Sequence, residues 1–223
     1  MGEALATLSA TILSQAAWEQ LEANCERLGG PHSRIRRRAD GKLIKIFPRR
    51  NDSMAKVAAQ AQDFVRNSAR LRALGFSCPV VDELIHVDES FAFVVYTPIP
   101  GDSFREWVER EGSAELDRLP QYFANLHCVG VYFRGGHLGN LVRESGSGIG
   151  LIDFSDVRFA GGSLGPWKRA RNLAHLLGHR LDGETIKRYG YRRFIDAYAE
   201  IAGIRGFARR RMAWFLRRRV GKY

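Results

Sequence analysis

The chain has 223 residues, of which 45% are hydrophobic and 26% charged, with a formal net charge of +11. That length and balance suit one globular domain or two small lobes, and exclude disordered, collagen-like and disulfide-scaffold chains. No run of about eighteen apolar residues occurs, so no membrane-spanning helix is expected.

The opening stretch Met1–Gln20 is too polar and too acidic for a signal peptide, and Ala6 stands where N-myristoylation requires Ser or Thr. Cys25, Cys78 and Cys128 are far apart and lack metal-ligand spacing, which fits a reduced, cytoplasmic chain. The first clear element is a hairpin, Arg34–Arg38 and Leu43–Phe47 around Ala39-Asp40-Gly41, stopped by Pro48. A long helix follows from about Ser53 to Leu74. Val57, Ala61, Phe64, Val65, Ser68, Leu71 and Leu74 recur at three- and four-residue steps and form one buried stripe. Gly75 and Pro79 end it.

Leu84–Val87 and Phe91–Tyr96 make a second hairpin, whose second strand is apolar almost throughout, as in a central strand. Thr97-Pro98-Ile99-Pro100-Gly101 breaks the regular structure. Ser103 and Glu106 then form a capping box, and another helix runs from about Glu115 to Cys128. Val131–Asn140 reads as irregular. Two short strands, Leu141–Val142 and Ile149–Ile152, flank a turn at Ser145–Gly148. Helices over Trp167–Arg180, Gly183–Ala202 and Phe207–Arg219 complete the chain. Strands with one helix, then helices with one small hairpin, argue α+β with segregated halves.

Three polar residues stand where polarity is costly. Lys45 lies inside the apolar strand Leu43–Phe47, Asn140 ends the irregular loop, and Asp153 ends the run Ile149–Ile152. A lysine for phosphate oxygens, with Asn and Asp for magnesium, is the minimum set for nucleotide phosphoryl transfer. Each alone has a plain structural use: a solvent-facing strand lysine, or a turn former at a strand end.

Together they carry a resemblance. Leu126-His127-Cys128-Val129-Gly130-Val131-Tyr132-Phe133-Arg134-Gly135-Gly136-His137-Leu138-Gly139-Asn140-Leu141-Val142, followed by Gly150-Leu151-Ile152-Asp153-Phe154-Ser155, resembles the catalytic loop and metal-binding segment of the protein-kinase-like superfamily. Small-molecule kinases there read L-H-x-x-G-V-x-H-G-D-L-H-x-x-N-I-L, then G-x-I-D-F. Within the superfamily the chain is most similar to the lipopolysaccharide-core sugar kinases and their toluene-tolerance relatives, over about residues 25–200. This implies a two-lobed protein-kinase-like fold, with a strand-rich N-lobe over 1–97 and a helical C-lobe over 98–223. It also implies ATP and Mg2+ as cofactors and a lipopolysaccharide-core sugar as acceptor. By the same resemblance Lys45 holds phosphate, Gly29 and Gly30 belong to a nucleotide-covering loop, and Tyr96 and Thr97 present hinge backbone to adenine. Asn140 and Asp153 would bind the metal, while His137 and Arg134 would contact the transferring phosphoryl or the acceptor.

Two departures stand out. Counting back from Asn140, the usual histidine is Phe133 and the usual catalytic Asp is Gly135. His137 and Asp156 are the candidates to replace the lost carboxylate, and glycine itself could be dictated by its backbone angles. The alternative to a working kinase is a pseudokinase, a nucleotide-binding or scaffolding module of envelope assembly. The partner of Lys45 on the long helix also lacks a clear equivalent, with Asp63 the nearest acid and Asn67 one turn later.

The charge is concentrated at the end. Arg205–Tyr223 holds eight basic residues and no acid, which leaves 27 basic against 24 acidic residues elsewhere. On a helical wheel Ala208, Met212, Phe215 and Leu216 form one arc, and Phe207 and Trp214 another. A terminal helix with snorkelling arginines and a peripheral contact with the anionic inner membrane are both open readings. Nucleic acid ranks last, because no recognition motif accompanies the charge.

Overall fold

The computed structural model describes residues 8–144 and 148–220. Most of the expected Ser145–Gly148 turn, Ala6 and Lys222 lie outside these residues. The chain divides after Ile99 into two compact units.

The first unit is a six-stranded sheet with a helix on each face. Its strands are β1 (Thr11–Leu13), β2 (Glu26–Leu28), β3 (Ile35–Arg37), β4 (Leu43–Pro48), β5 (Val80–Val87) and β6 (Phe91–Thr97), and its helices are α1 (Gln15–Ala23) and α2 (Met54–Ala73). The sheet order is β1-β5-β6-β4-β3-β2, with β1 parallel to β5 and the other pairs antiparallel. Strand alternation divides the apolar residues between two faces. Ile44, Phe93, Val95 and Ile85 pack on Trp18 of α1. On the other face, Phe47 and Tyr96 each lie 5.9 Å from the Phe64 ring of α2. The Ser53 hydroxyl caps α2 by accepting from the Lys56 N–H at 3.3 Å.

The expected hairpins and the long helix are present. Leu74 departs from the expected stripe: it caps the C-terminus of α2 and is 38% exposed. The segment β1-α1-β2 was not expected, because it consists of two three-residue strands and a nine-residue helix that buries only Trp18. All three cysteines are free thiols.

The second unit contains β7 (Asp102–Ser103), α3 (Phe104–Glu111), α4 (Leu119–Cys128), β8 (Val131–Phe133), β9 (Leu141–Arg143), β10 (Ile149–Leu151), β11 (Val157–Phe159), α5 (Pro166–Leu177), α6 (Gly183–Tyr189), α7 (Tyr191–Ile201) and α8 (Gly206–Val220). The order β10-β9-β7 forms one small sheet, and β8 pairs with β11. The capping box of Ser103 and Glu106 is formed. Three expectations need correction. The helix expected from Glu115 begins at Leu119, after a 3-10 segment over Ser113–Arg118, and Pro120 sits in its first turn, where no N–H is needed. The loop expected to be irregular contains β8, whose partner lies more than twenty residues on and gives no local signal. The single helix expected over Gly183–Ala202 is two, divided at Gly190 with φ +101°.

α8 buries Met212, Phe215, Leu216 and Val220 and leaves Phe207 and Trp214 exposed. Arg209 ties it to α7 through Asp196 at 2.7 Å, and Trp167 of α5 lies 4.5 Å from the Phe215 ring. Among the described residues no helix is long and apolar enough to cross a membrane.

Candidate active site

The loop from Phe133 to Asn140 is held at both ends by buried polar side chains. At its start Asn172, fully buried on α5, brackets the backbone of Phe133. Its Oδ1 accepts the Phe133 N–H at 2.9 Å and its Nδ2 donates to the Phe133 carbonyl at 2.5 Å. The same Oδ1 lies 3.1 Å from His127 Nε2, and His127 Nδ1 lies 2.6 Å from the Tyr198 hydroxyl. Because Asn172 Oδ1 can only accept, His127 carries its proton on Nε2 and accepts the Tyr198 O–H at Nδ1. Burial pushes the His127 pKa down to about 4, so the ring is neutral at neutral pH.

At the other end, the fully buried Asp182 carboxylate accepts the Leu138 N–H at 3.0 Å and pairs with Arg105 Nε at 2.6 Å. The Arg105 guanidinium lies against Gly139 so closely that a Cβ there would meet Nη1 at 2.8 Å. A side chain at 139 would therefore displace the guanidinium from its present position. None of Asn172, Asp182, Arg105 and His127 was picked out as a site residue from the sequence. His127 and Asn172 lie among apolar residues of α4 and α5, whereas Asp182, just before α6, and Arg105, in the polar helix α3, carry no local signal.

Asn140 and Asp153 are brought side by side by the β9–β10 hairpin. Leu141 pairs with Leu151, and one step further the Ile152 N–H donates to the Asn140 carbonyl at 2.9 Å. The Asn140 Nδ2 donates to the Gly135 carbonyl at 2.9 Å. Asp153 is exposed and left-handed (φ 53°, ψ 57°), a conformation that costs a non-glycine residue about 1–2 kcal/mol. Its Oδ1 accepts the Ser155 hydroxyl at 3.2 Å.

Gly135 sits at the same place. A Cβ there would lie 3.3 Å from Asn140 Nδ2 and Phe133 Cε2, and 3.6 Å from the Asp153 carbonyl oxygen. Gly135 does not adopt a positive φ, so its backbone angles do not dictate glycine. The amide oxygen of Asn140 and the carboxylate of Asp153 are hard oxygen donors of the kind that Mg2+ takes together with nucleotide phosphates. The donor set therefore fits that ion.

His137 stacks on His179, with ring centroids 4.0 Å apart and planes inclined by 17°. Its Nδ1 is buried without a hydrogen-bond partner among the described residues. Burial first, then the neighbouring His179, pushes its pKa down to about 4, against a smaller upward pull from Asp182. Arg134 is exposed.

The remaining expected residues lie in the first unit. Lys45 is on the α2 side of β4, with Nζ 5.1 Å from the Phe64 ring centroid. Asp63 of α2 forms an ion pair with Arg66, and Asn67 is buried. Gly29, with φ +84°, and Gly30 lie in the turn between β2 and β3. Tyr96 and Thr97 end β6, and Thr97 donates to Asp82 at 2.9 Å.

No protein-family model and no curated protein matches the chain. By structure it is similar to the aminoglycoside phosphotransferase APH(3'')-Id from Streptomyces rimosus. That match covers 91% of this chain and 95% of the other, with a TM-score of 0.58 and 13% identity. The same phosphotransferase in complex with ADP and streptomycin matches over 92% and 98%, with a TM-score of 0.58 and 14% identity. The chain has the protein-kinase-like fold.

Proposed function

We propose that this chain is an ATP- and magnesium-dependent phosphotransferase that phosphorylates a hydroxyl of a lipopolysaccharide-core sugar on the cytoplasmic side of the inner membrane. The observation that carries the reading is the juxtaposition of Asp153 with Gly135 and Asn140, the last two on a loop pinned by Asn172 and Asp182, within a fold shared with a phosphotransferase. The ADP in that relative supports nucleotide as the donor. The lipopolysaccharide-core acceptor rests on the loop motif alone.

Lys45 holds phosphate oxygens, Gly29 and Gly30 cover them, and the backbone at Tyr96 and Thr97 meets the adenine. Asn140 and Asp153 hold Mg2+, which neutralises charge on the phosphates when bound. Arg134 faces the acceptor. His137, neutral at pH 7, is the loop group left to orient the hydroxyl. Its lowered basicity makes positioning its main contribution. The exposed face of α8, with Phe207, Trp214 and its arginines, rests on the anionic membrane surface.

One observation favours a second reading. Gly135 carries no carboxylate beside Asn140, and a module that binds nucleotide without transferring it would need none. Transfer of the γ-phosphoryl group of labelled ATP to purified core oligosaccharide tests the proposal. Incorporation supports the enzyme, and nucleotide binding with no incorporation supports the pseudokinase.

A further inference from the structure

One residue before Gly135 the chain enters a second concavity. Tyr132, Arg134, Arg158, Trp167, Lys168 and Arg171 line a cavity of about 430 Å³ in the second unit. Three segments build it. Tyr132 and Arg158 are register partners across β8 and β11. Arg134 follows two residues after Tyr132, and Trp167, Lys168 and Arg171 come from the first two turns of α5.

Four cations share this space without a compensating acid. None of Arg134, Arg158, Lys168 and Arg171 forms an ion pair among the described residues, whereas Arg105, Arg193 and Arg209 of the same unit do. Arg158 donates only to backbone carbonyls, at 3.0 Å to Val157 and more weakly to Ser155. His175 on the same helix feels these charges. Burial and then the charges of Arg134, Arg171 and Arg219 push its pKa down. Four like charges on the wall of one concavity repel one another and focus field on whatever enters it. Guanidinium forks match phosphate and carboxylate oxygens, and exposed aromatic rings offer a flat apolar surface to a sugar ring.

We infer that this cavity is the anion subsite of the acceptor, and that the acceptor carries a phosphate or carboxylate beside the hydroxyl to be phosphorylated. The inference rests on the phosphotransferase reading for the word acceptor, and on the cavity alone for the anion. An aminoglycoside, cationic at neutral pH, would be repelled here.

The test is calorimetric titration of the full chain with glucose 6-phosphate, with glucose as the uncharged control and with phosphatidylglycerol vesicles as competitor. Mg-ATP is titrated separately. The expected result is saturable binding of glucose 6-phosphate near one per chain and none of glucose. R158Q/R171Q should weaken it about tenfold or more, whereas R188Q/R192Q, which removes the same charge from the exposed surface of α6 and α7, should change it less than about twofold. Displacement by the vesicles would mark a lipid-linked anion and its failure a free one, both within the inferred class. Absence of binding at millimolar sugar phosphate, or equal weakening in the two double variants, would overturn the subsite. Binding of the sugar phosphate without any of Mg-ATP would instead sink the phosphotransferase reading and leave an anion-binding cavity.

Discussion

Asn172 brackets Phe133, accepting its N–H at 2.9 Å and donating to its carbonyl at 2.5 Å, so a single buried amide fixes where the candidate loop begins. The bracket extends inward through His127 to Tyr198, so the loop and the helical core share one polar network. Replacing Asn172 by Ala leaves the Phe133 backbone groups and the His127 N–H unsatisfied. Each such buried group costs about 1–3 kcal/mol. Denaturant unfolding of N172A should therefore show a loss above about 2 kcal/mol. A loss under about 0.5 kcal/mol would mean that water or a neighbour replaces the amide.

The Arg105–Asp182 pair predicts an order of effects. R105A strands a fully buried carboxylate and should cost about 3 kcal/mol or more. D182N removes the charge and keeps an acceptor for the Leu138 N–H, so it should cost less. The double variant R105A/D182N should then be more stable than R105A. Simple additivity in this cycle would show that the two side chains are not coupled.

His127 gives a pH dependence with a definite sign. Its folded pKa of about 4 lies below the ordinary value of 6.5, so below pH 6.5 the unfolded chain binds a proton that the folded chain refuses. Stability from this group is therefore intact above pH 6.5 and falls as pH drops toward 4, at up to about 1.4 kcal/mol per pH unit. His137 acts in the same direction. Unfolding free energies between pH 7 and 5 should have a shallower slope in H127Q than in the wild type. An unchanged slope would assign the acid sensitivity to other groups.

Gly135 tests enzyme against pseudokinase. Its φ permits a side chain and its neighbours need yield only a few tenths of an ångström, so G135D should fold. If the wild type transfers phosphate, H137A should lower turnover about tenfold or more while leaving ATP affinity nearly unchanged. If only G135D turns over, the natural chain is a pseudokinase. Turnover that H137A leaves untouched would remove His137 from the acceptor's surroundings.

Much of this was legible in the sequence because it is local. Ser53, Ser103 and the Val57–Leu71 stripe announce their helices through spacing, and Asn140 and Asp153 sit at fixed distances from an apolar hairpin. What was missed depends on long-range contact. β8 is a strand only because Val157–Phe159 pairs with it, and Trp18 makes α1 a core element only against β4, β5 and β6, all more than twenty residues further along the chain. Asp182 and Asn172 look like ordinary surface residues until burial shows which backbone groups they serve. Leu74, although in phase with the stripe, falls at the cap, where the helix no longer faces the sheet.

The central claim is that Asn140 and Asp153 form a metal–nucleotide site, and thermal unfolding with and without Mg-ATP tests it most directly. A ligand that binds only the folded state stabilises it by about 2.7 kcal/mol at a hundredfold excess over its Kd. Mg-ATP should raise the unfolding midpoint of the wild type, ATP with EDTA should raise it less, and neither D153A nor N140A should respond. Equal shifts in the wild type and D153A, or none in any protein at millimolar Mg-ATP, would contradict it.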